Sequence, residues 1–149
     1  MDVFKSLTAK FLLFLMASLP ITAARTFSRQ LGRLLWFLGG RSYRVTCRNI
    51  ELAYPELDGS EQSNLAKRSF LSTAELTGEM GWVWLRPWSK VHKRIMQVSG
   101  AELVTDALED GRGVVVLAPH LGNWEVLGLH LGTLGQVVSL YEPVKLESL

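Results

Sequence analysis

His120 and Glu125 are the residues whose types and spacing can do chemistry. A turn that folds back over five positions brings the carboxylate onto one imidazole nitrogen. The other nitrogen is then left to take a proton from a substrate hydroxyl. The carboxylate fixes the imidazole tautomer and stabilises the imidazolium that forms. A helix N-terminus beside the pair offers unpaired N–H groups to a phosphate or an oxyanion. The combination suits acyl transfer to an alcohol with no covalent enzyme intermediate. A plainer reading stays open on spacing alone. Glu125 then favours a helix start electrostatically, and His120 is a hydrogen-bonded loop residue.

The elements around the pair follow from the same stretch. Residues 114–118, Val-Val-Val-Leu-Ala, form an uncharged run rich in β-branched side chains, bounded by Gly113 and Pro119. Such a run predicts a strand buried on both faces, and so a parallel or mixed α/β sheet. His120-Leu121-Gly122-Asn123 is a tight polar turn. A helix follows over about 123–132, with Asn123 as its N-cap. His120 is thereby placed at the carboxyl end of a buried strand, the edge where open α/β sheets bind ligands.

Further strands are expected at 95–98 and 137–141, and a helix at 101–110 with Gly111 as its C-cap. Asp58 and Glu61 predict a capped helix start. That helix runs to about Leu85, is weakened by Gly78 and Gly81, and is stopped by Pro87. Residues 41–57 read as a mixed connecting region. Trp82, Trp84 and Trp88, beside Arg86 and Lys90, suit either a membrane interface or the closing of a helix end by large core side chains.

At 149 residues the chain is long enough for one domain with a real core, and 48% of it is apolar. A single cysteine, Cys47, excludes an intrachain disulfide framework and a cysteine cluster for zinc. Charge is unevenly spread. Residues 1–48 hold eight Lys or Arg and one acid, a net +7, while residues 49–149 carry a net −5. The cations of the first segment are interleaved with Leu, Phe and Trp, which points to an anionic membrane surface rather than nucleic acid.

Residues 11–24 are uncharged but fall short of the ~20 residues of a comfortable transmembrane helix, and Pro20 interrupts them. A short anchor, an in-plane helix and a signal peptide compete for this run. The next stretch argues against cleavage: Leu31, Leu34, Leu35 and Leu38 recur at helical spacing beside Arg29, Arg33 and Arg41. Two such helices in succession predict a membrane-dipping hairpin. Deleting residues 1–40 is expected to release much of the protein from membranes.

Other chemistries find no support. Glu125 and His130 lie roughly 140° apart on a helix and share no face as zincin ligands do. His130 reads as a surface or packed residue and His92 as a loop residue. A nucleophile elbow, a phosphate loop and a dinucleotide glycine fingerprint are all missing from the sequence.

His-Leu-Gly-Asn-Trp-Glu at 120–125 resembles the His-x-x-x-x-Asp/Glu motif of membrane-bound acyltransferases. More narrowly it resembles the late acyltransferases of lipid A biosynthesis, the lauroyl/myristoyl transferase family. Residues 48–57, Arg-Asn-Ile-Glu-Leu-Ala-Tyr-Pro-Glu-Leu, resemble that family's Asn-Leu…Phe-Pro-Glu segment. Gly100-Ala101-Glu102 followed by Gly111-Arg112-Gly113 resembles its approach to the motif strand. The resemblance covers nearly the whole chain but about the first half of a typical member. One departure stands out: Tyr141-Glu142-Pro143 has an acid where the family often has Lys or Arg.

The resemblance implies a glycerolphosphate-acyltransferase-like α/β fold, a mixed sheet flanked by helices. It implies membrane-associated helices over 1–40 and the N-terminal part of an acyltransferase domain over 41–149. It also implies a membrane-associated O-acyltransferase that moves a fatty acyl chain from acyl carrier protein to a glycolipid hydroxyl, a lipid A precursor. His120 is the general base, Glu125 orients it, and Gly122, Asn123 and Trp124 shape the turn. No metal or prosthetic group is required beyond the thioester co-substrate. The implied location is the cytoplasmic face of a bacterial inner membrane. The alternatives are a phospholipid or phosphoinositide-mannoside acceptor, or an inactive truncated chain that only docks on the membrane. A chain ending at residue 149 is expected to leave a sheet edge exposed, and to be poorly soluble and inactive by itself.

Overall fold

The computed structural model describes residues 2–140, with side chains from residue 6 onward. Seven helices follow in order: α1 (Asp2–Ser18), α2 (Ile21–Leu38), α3 (Arg41–Ala53), α4 (Gly59–Leu85), α5 (Trp88–His92), α6 (Ala101–Glu109) and α7 (Trp124–Leu134).

Helix α4 starts where its cap dictates. Asp58 Oδ1 accepts from the N–H groups of Ser60 at 2.8 Å and Glu61 at 2.9 Å, and Glu61 Oε2 accepts from the Asp58 N–H at 3.1 Å. The backbone donors of Glu61 and Ser60 hold the Asp58 carboxyl below the usual carboxylate range. A depressed folded pKa gives stability present above the ordinary value of about 3.9 and lost as pH falls through the folded one.

The other long helices pack around α4. Helix α2 lies antiparallel to it, and the register can be read from its contacts. Arg25 pairs with Glu79 and Arg29 with Glu75, each at 2.6 Å. Trp36 meets Phe70 edge-on at 5.6 Å and Tyr43 of α3 at 4.6 Å. Part-exposed ion pairs of this kind contribute at most about 1 kcal/mol each. Their main role here is to fix which turn faces which.

Gly78 and Gly81 lie where α4 meets its neighbours. A side chain on Gly78 would run into Ser28 of α2, and one on Gly81 would lie 2.6 Å from the Leu13 carbonyl oxygen of α1. Both glycines admit a neighbouring helix backbone. The small-residue seam offsets the propensity each glycine costs.

The structure departs from two expectations. The first is the α/β fold. Among the described residues there is no strand and no sheet. Residues 114–118 have no ladder partner, and a segment expected to be buried on both faces is exposed along its whole length. Val115 is 91% and Leu117 is 88% exposed, while Val114, Val116 and Ala118 face a cavity. β-branched composition sets an extended backbone, but a buried strand needs hydrogen-bonded neighbours on both edges. Residues 95–98 and 137–140 do not supply them. Residue 141 of the expected third strand and the Tyr141-Glu142-Pro143 segment lie at or outside the limit of the described residues.

The second correction is residues 41–53, expected as a connection and found as α3. Tyr43, Cys47 and Ile50, spaced i, i+4, i+7, form its half-buried side. The apolar run 11–24 is divided between two helices, with the break at the expected Pro20. Helix α1 ends at Ser18 and Pro20, with φ −56°, precedes the first turn of α2. No described helix is long and apolar enough to cross a membrane.

The glycine seam makes a testable contrast. Gly81→Ala gains helix propensity but overpacks against a backbone carbonyl that cannot yield, for a net loss of about 1–2 kcal/mol. Gly128 of α7 has nothing within 4 Å of its missing Cβ, and Gly128→Ala gains about 0.5 kcal/mol. Thermal unfolding of the two variants should shift in opposite directions. A shift in the same direction would contradict the seam.

Candidate active site

The turn before α7 is built from local backbone bonds. The Leu121 N–H donates to the Pro119 carbonyl at 2.7 Å, which places His120 at the tip of a three-residue turn. Gly122 adopts φ +60°, in the left-handed region open to glycine. Asn123 is the N-cap residue of α7 by position, yet its side chain makes no capping bond. It turns instead toward α4, where Asn123 Nδ2 donates to Glu79 Oε2 at 2.8 Å. Glu79 Oε1 accepts from Arg25 at 2.6 Å. One carboxylate thus joins α2, α4 and the motif turn.

Glu125, in the first turn of α7, accepts from the Trp84 indole Nε1–H at 3.0 Å through Oε2. His120 is exposed and lies flat on the Trp124 ring, with centroids 4.3 Å apart and planes 16° from parallel. The structure therefore brings His120 to Trp124 and Glu125 to Trp84. It shows no hydrogen bond between His120 and Glu125 themselves.

Behind the turn lies a small apolar cluster. Ile21, Trp82 and Val91 are buried together, with Trp88 and Val126 packed against them. Val126 follows Glu125 directly, so this cluster seats the first turn of α7. Of the three tryptophans that suited either a membrane interface or the closing of a helix end, two pack in the core: Trp82 is buried and Trp88 half-buried. Arg86 does not face outward to lipid either, because its Nε donates to the Ala17 carbonyl at the end of α1, at 2.6 Å. His92 belongs to α5 rather than to a loop and packs on Trp88 at 5.5 Å. His130 is a packed residue, 6.4 Å from the same ring, with both ring nitrogens shielded from solvent.

An open cavity of about 630 Å³ adjoins Glu125. Its wall is largely apolar and includes Leu108, Val114, Val116, Trp124, Leu127 and Leu131. That volume lies within the ~300–1,000 Å³ usual for small-molecule sites. Two residues of the site, Glu79 and Trp84, were not singled out from the sequence as site residues. Trp84 stood there only as one of three tryptophans, and nothing local marks Glu79 apart from the other acids of an amphipathic helix.

The Asn123–Glu79 bond generates a prediction that capping rules alone reverse. Asp and Asn are about equal as N-caps. At this position Asn123→Asp replaces a donor to Glu79 with a like charge. The expected cost is about 1–2 kcal/mol, reduced by added salt and recovered by Glu79→Gln in the same chain. Unchanged thermal stability of Asn123→Asp would show that the bond holds nothing.

The comparisons with known proteins agree with one another. The family profile described as bacterial lipid A biosynthesis acyltransferase matches residues 4–149. The lipid A biosynthesis lauroyltransferase of Escherichia coli (strain K12) is 25% identical over 131 residues, which is 88% of this chain and 42% of that protein. The lipid A biosynthesis palmitoleoyltransferase of the same organism and a lipid A biosynthesis acyltransferase of Shigella flexneri match to the same extent. The chain spans 42% of the length of these curated relatives. No solved structure gives a significant match. With a profile match running through residue 149 and the His-x-x-x-x-Glu turn inside it, the chain belongs to the bacterial lipid A biosynthesis acyltransferase family.

Proposed function

We propose that the protein is a membrane-surface O-acyltransferase of lipid A biosynthesis, which moves a fatty acyl chain from an acyl carrier protein thioester to a glycolipid hydroxyl. The observation that carries this reading is the position of Glu125 and Trp124 in the wall of an apolar cavity, directly beside the exposed His120. An acyl chain is the kind of ligand that such a wall accommodates without unpaired polar groups.

In the proposed reaction one imidazole nitrogen of His120 takes the proton of the acceptor hydroxyl. The oxygen attacks the thioester carbonyl carbon, and the carbon–sulfur bond breaks. The imidazolium returns its proton to the departing thiolate, so an ester and a free thiol leave. Glu125 stabilises the imidazolium and fixes the tautomer. It has the capacity to do so because Trp84 engages Oε2 alone. His120 must leave its stack on Trp124 for the pair to meet.

Membrane contact is proposed on the basis of the first two helices. Leu7, Phe11 and Phe14 on α1, and Phe27, Leu31, Leu34 and Leu38 on α2, are large, apolar and exposed, and each set follows helical spacing. With the cationic N-terminal segment they suit shallow insertion into an anionic surface, on the cytoplasmic face of the inner membrane where acyl carrier protein is found.

In a full-length version of the protein, as long as the curated relatives, His120→Ala should lower thioester-dependent acyl transfer to a glycolipid at least 10²-fold while the fold is kept, because the base leaves an exposed turn. Glu125→Ala should be severe, and Glu125→Asp partly tolerated. Near-normal turnover by a folded His120→Ala variant would overturn the assignment. For the surface, Leu34→Glu with Phe37→Glu should release the protein from sedimenting anionic vesicles without lowering its thermal stability. Full retention would move the attachment elsewhere.

A further inference from the structure

We propose that Trp84 is a positioning residue for the reaction: its indole N–H holds the Glu125 carboxylate in the orientation that receives His120. The inference rests on the acyltransferase reading above. Its geometry comes from α4, a helix outside the motif. Trp84 stands at the end of α4, 41 residues before Glu125, and its Nε1–H···Oε2 bond is 3.0 Å long. A carboxylate has two oxygens and about four acceptor directions. Fixing one oxygen with a rigid indole leaves the other free for an imidazole and removes rotation about the terminal bond. Bonds to ionised acceptors are the stronger class.

The bond is defined because both of its ends are held. On α4, Trp82 and Val83 are buried, two and one residues before Trp84, and anchor that last turn. On α7, Asn123 is tied to Glu79 and Val126 is packed on the core cluster, so the residues on either side of Glu125 are fixed against the same bundle. The carboxylate is thus aimed by contacts that include neither His120 nor substrate. Trp84 is itself 49% exposed, so it is not retained there as a core residue, and replacing its ring with a smaller aromatic removes the N–H at little cost to packing.

The test is Trp84→Phe in the intact protein, followed by steady-state kinetics and by the indole N–H spectrum. Acyl transfer should fall about tenfold in kcat with KM unchanged. In a Glu125→Asp background, where the carboxylate is withdrawn by one methylene, the same substitution should cost less than twofold further. In the wild-type spectrum, the indole resonance that Trp84→Phe removes should move when Glu125 is changed to Ala. A Trp84→Phe enzyme with wild-type kcat would overturn the proposal, as would an unmoved indole resonance. A loss confined to KM would also overturn it, since the ring would then be only a wall of the cavity. An unvarying tenfold loss in both backgrounds would reduce Trp84 to a structural role. In a protein as long as the curated relatives, a wild type with no acyl transfer at all would instead overturn the reading on which the inference rests, and the spectrum would still report whether the bond exists.

Discussion

The Glu79 carboxylate is the point on which the arrangement of this chain turns. One oxygen accepts from Arg25 on α2 and the other from Asn123 at the start of α7. Without it, α4 and the motif turn are joined by the Trp84–Glu125 bond and a small apolar contact through Val126. An Asn is a good helix cap, and a Glu on a helix flank is ordinarily solvated. Here each gives up its usual local role for a bond across more than forty residues. The stabilisation from one such bond is modest, but it fixes the approach of the turn, and catalytic geometry is more sensitive to approach than total stability is.

The bundle beneath it holds its shape by close approach rather than by a large apolar core. The buried apolar residues are few and mostly small or medium in size. Glycines at 32, 78 and 81 let α1 and α2 come in to backbone contact with α4, and the Arg25–Glu79 and Arg29–Glu75 pairs set the register. Much apolar surface stays outside, on α1 and α2 and along residues 114–117. The first group is accounted for by the proposed lipid contact.

How much of this was legible in the sequence depends on how local each signal is. The Asp58–Glu61 box is four residues long and self-contained, so it was readable and α4 begins where it indicates. The helix after Gly100 was equally readable, because its end is set by Gly111 at φ +71° and by bonds from 111 and 112 back to 108 and 107. Residues 114–118 show the limit. Their β-branched run suits a strand, but pairing is a property of distant segments, and none pairs with it among the described residues. In α3 the polar residues and Val45 obscured a helical face at Tyr43, Cys47 and Ile50. For the candidate site, His120 and Glu125 stand out by their residue types, their spacing and the resemblance of 120–125 to a family motif. Glu79 and Trp84 do not, because what gives them a role is contact across the fold, and no local pattern encodes it.

Helix α4 anchors the motif turn through Glu79. A double-mutant cycle on Glu79→Ala and Asn123→Ala, followed by chemical unfolding, measures that link directly. The expected coupling between the two positions is about 1–2 kcal/mol, with the double variant no less stable than the worse of the single ones. Additive losses, with a coupling of about zero, would contradict it and leave the Trp84–Glu125 bond and the Val126 contact as the attachments of the motif turn.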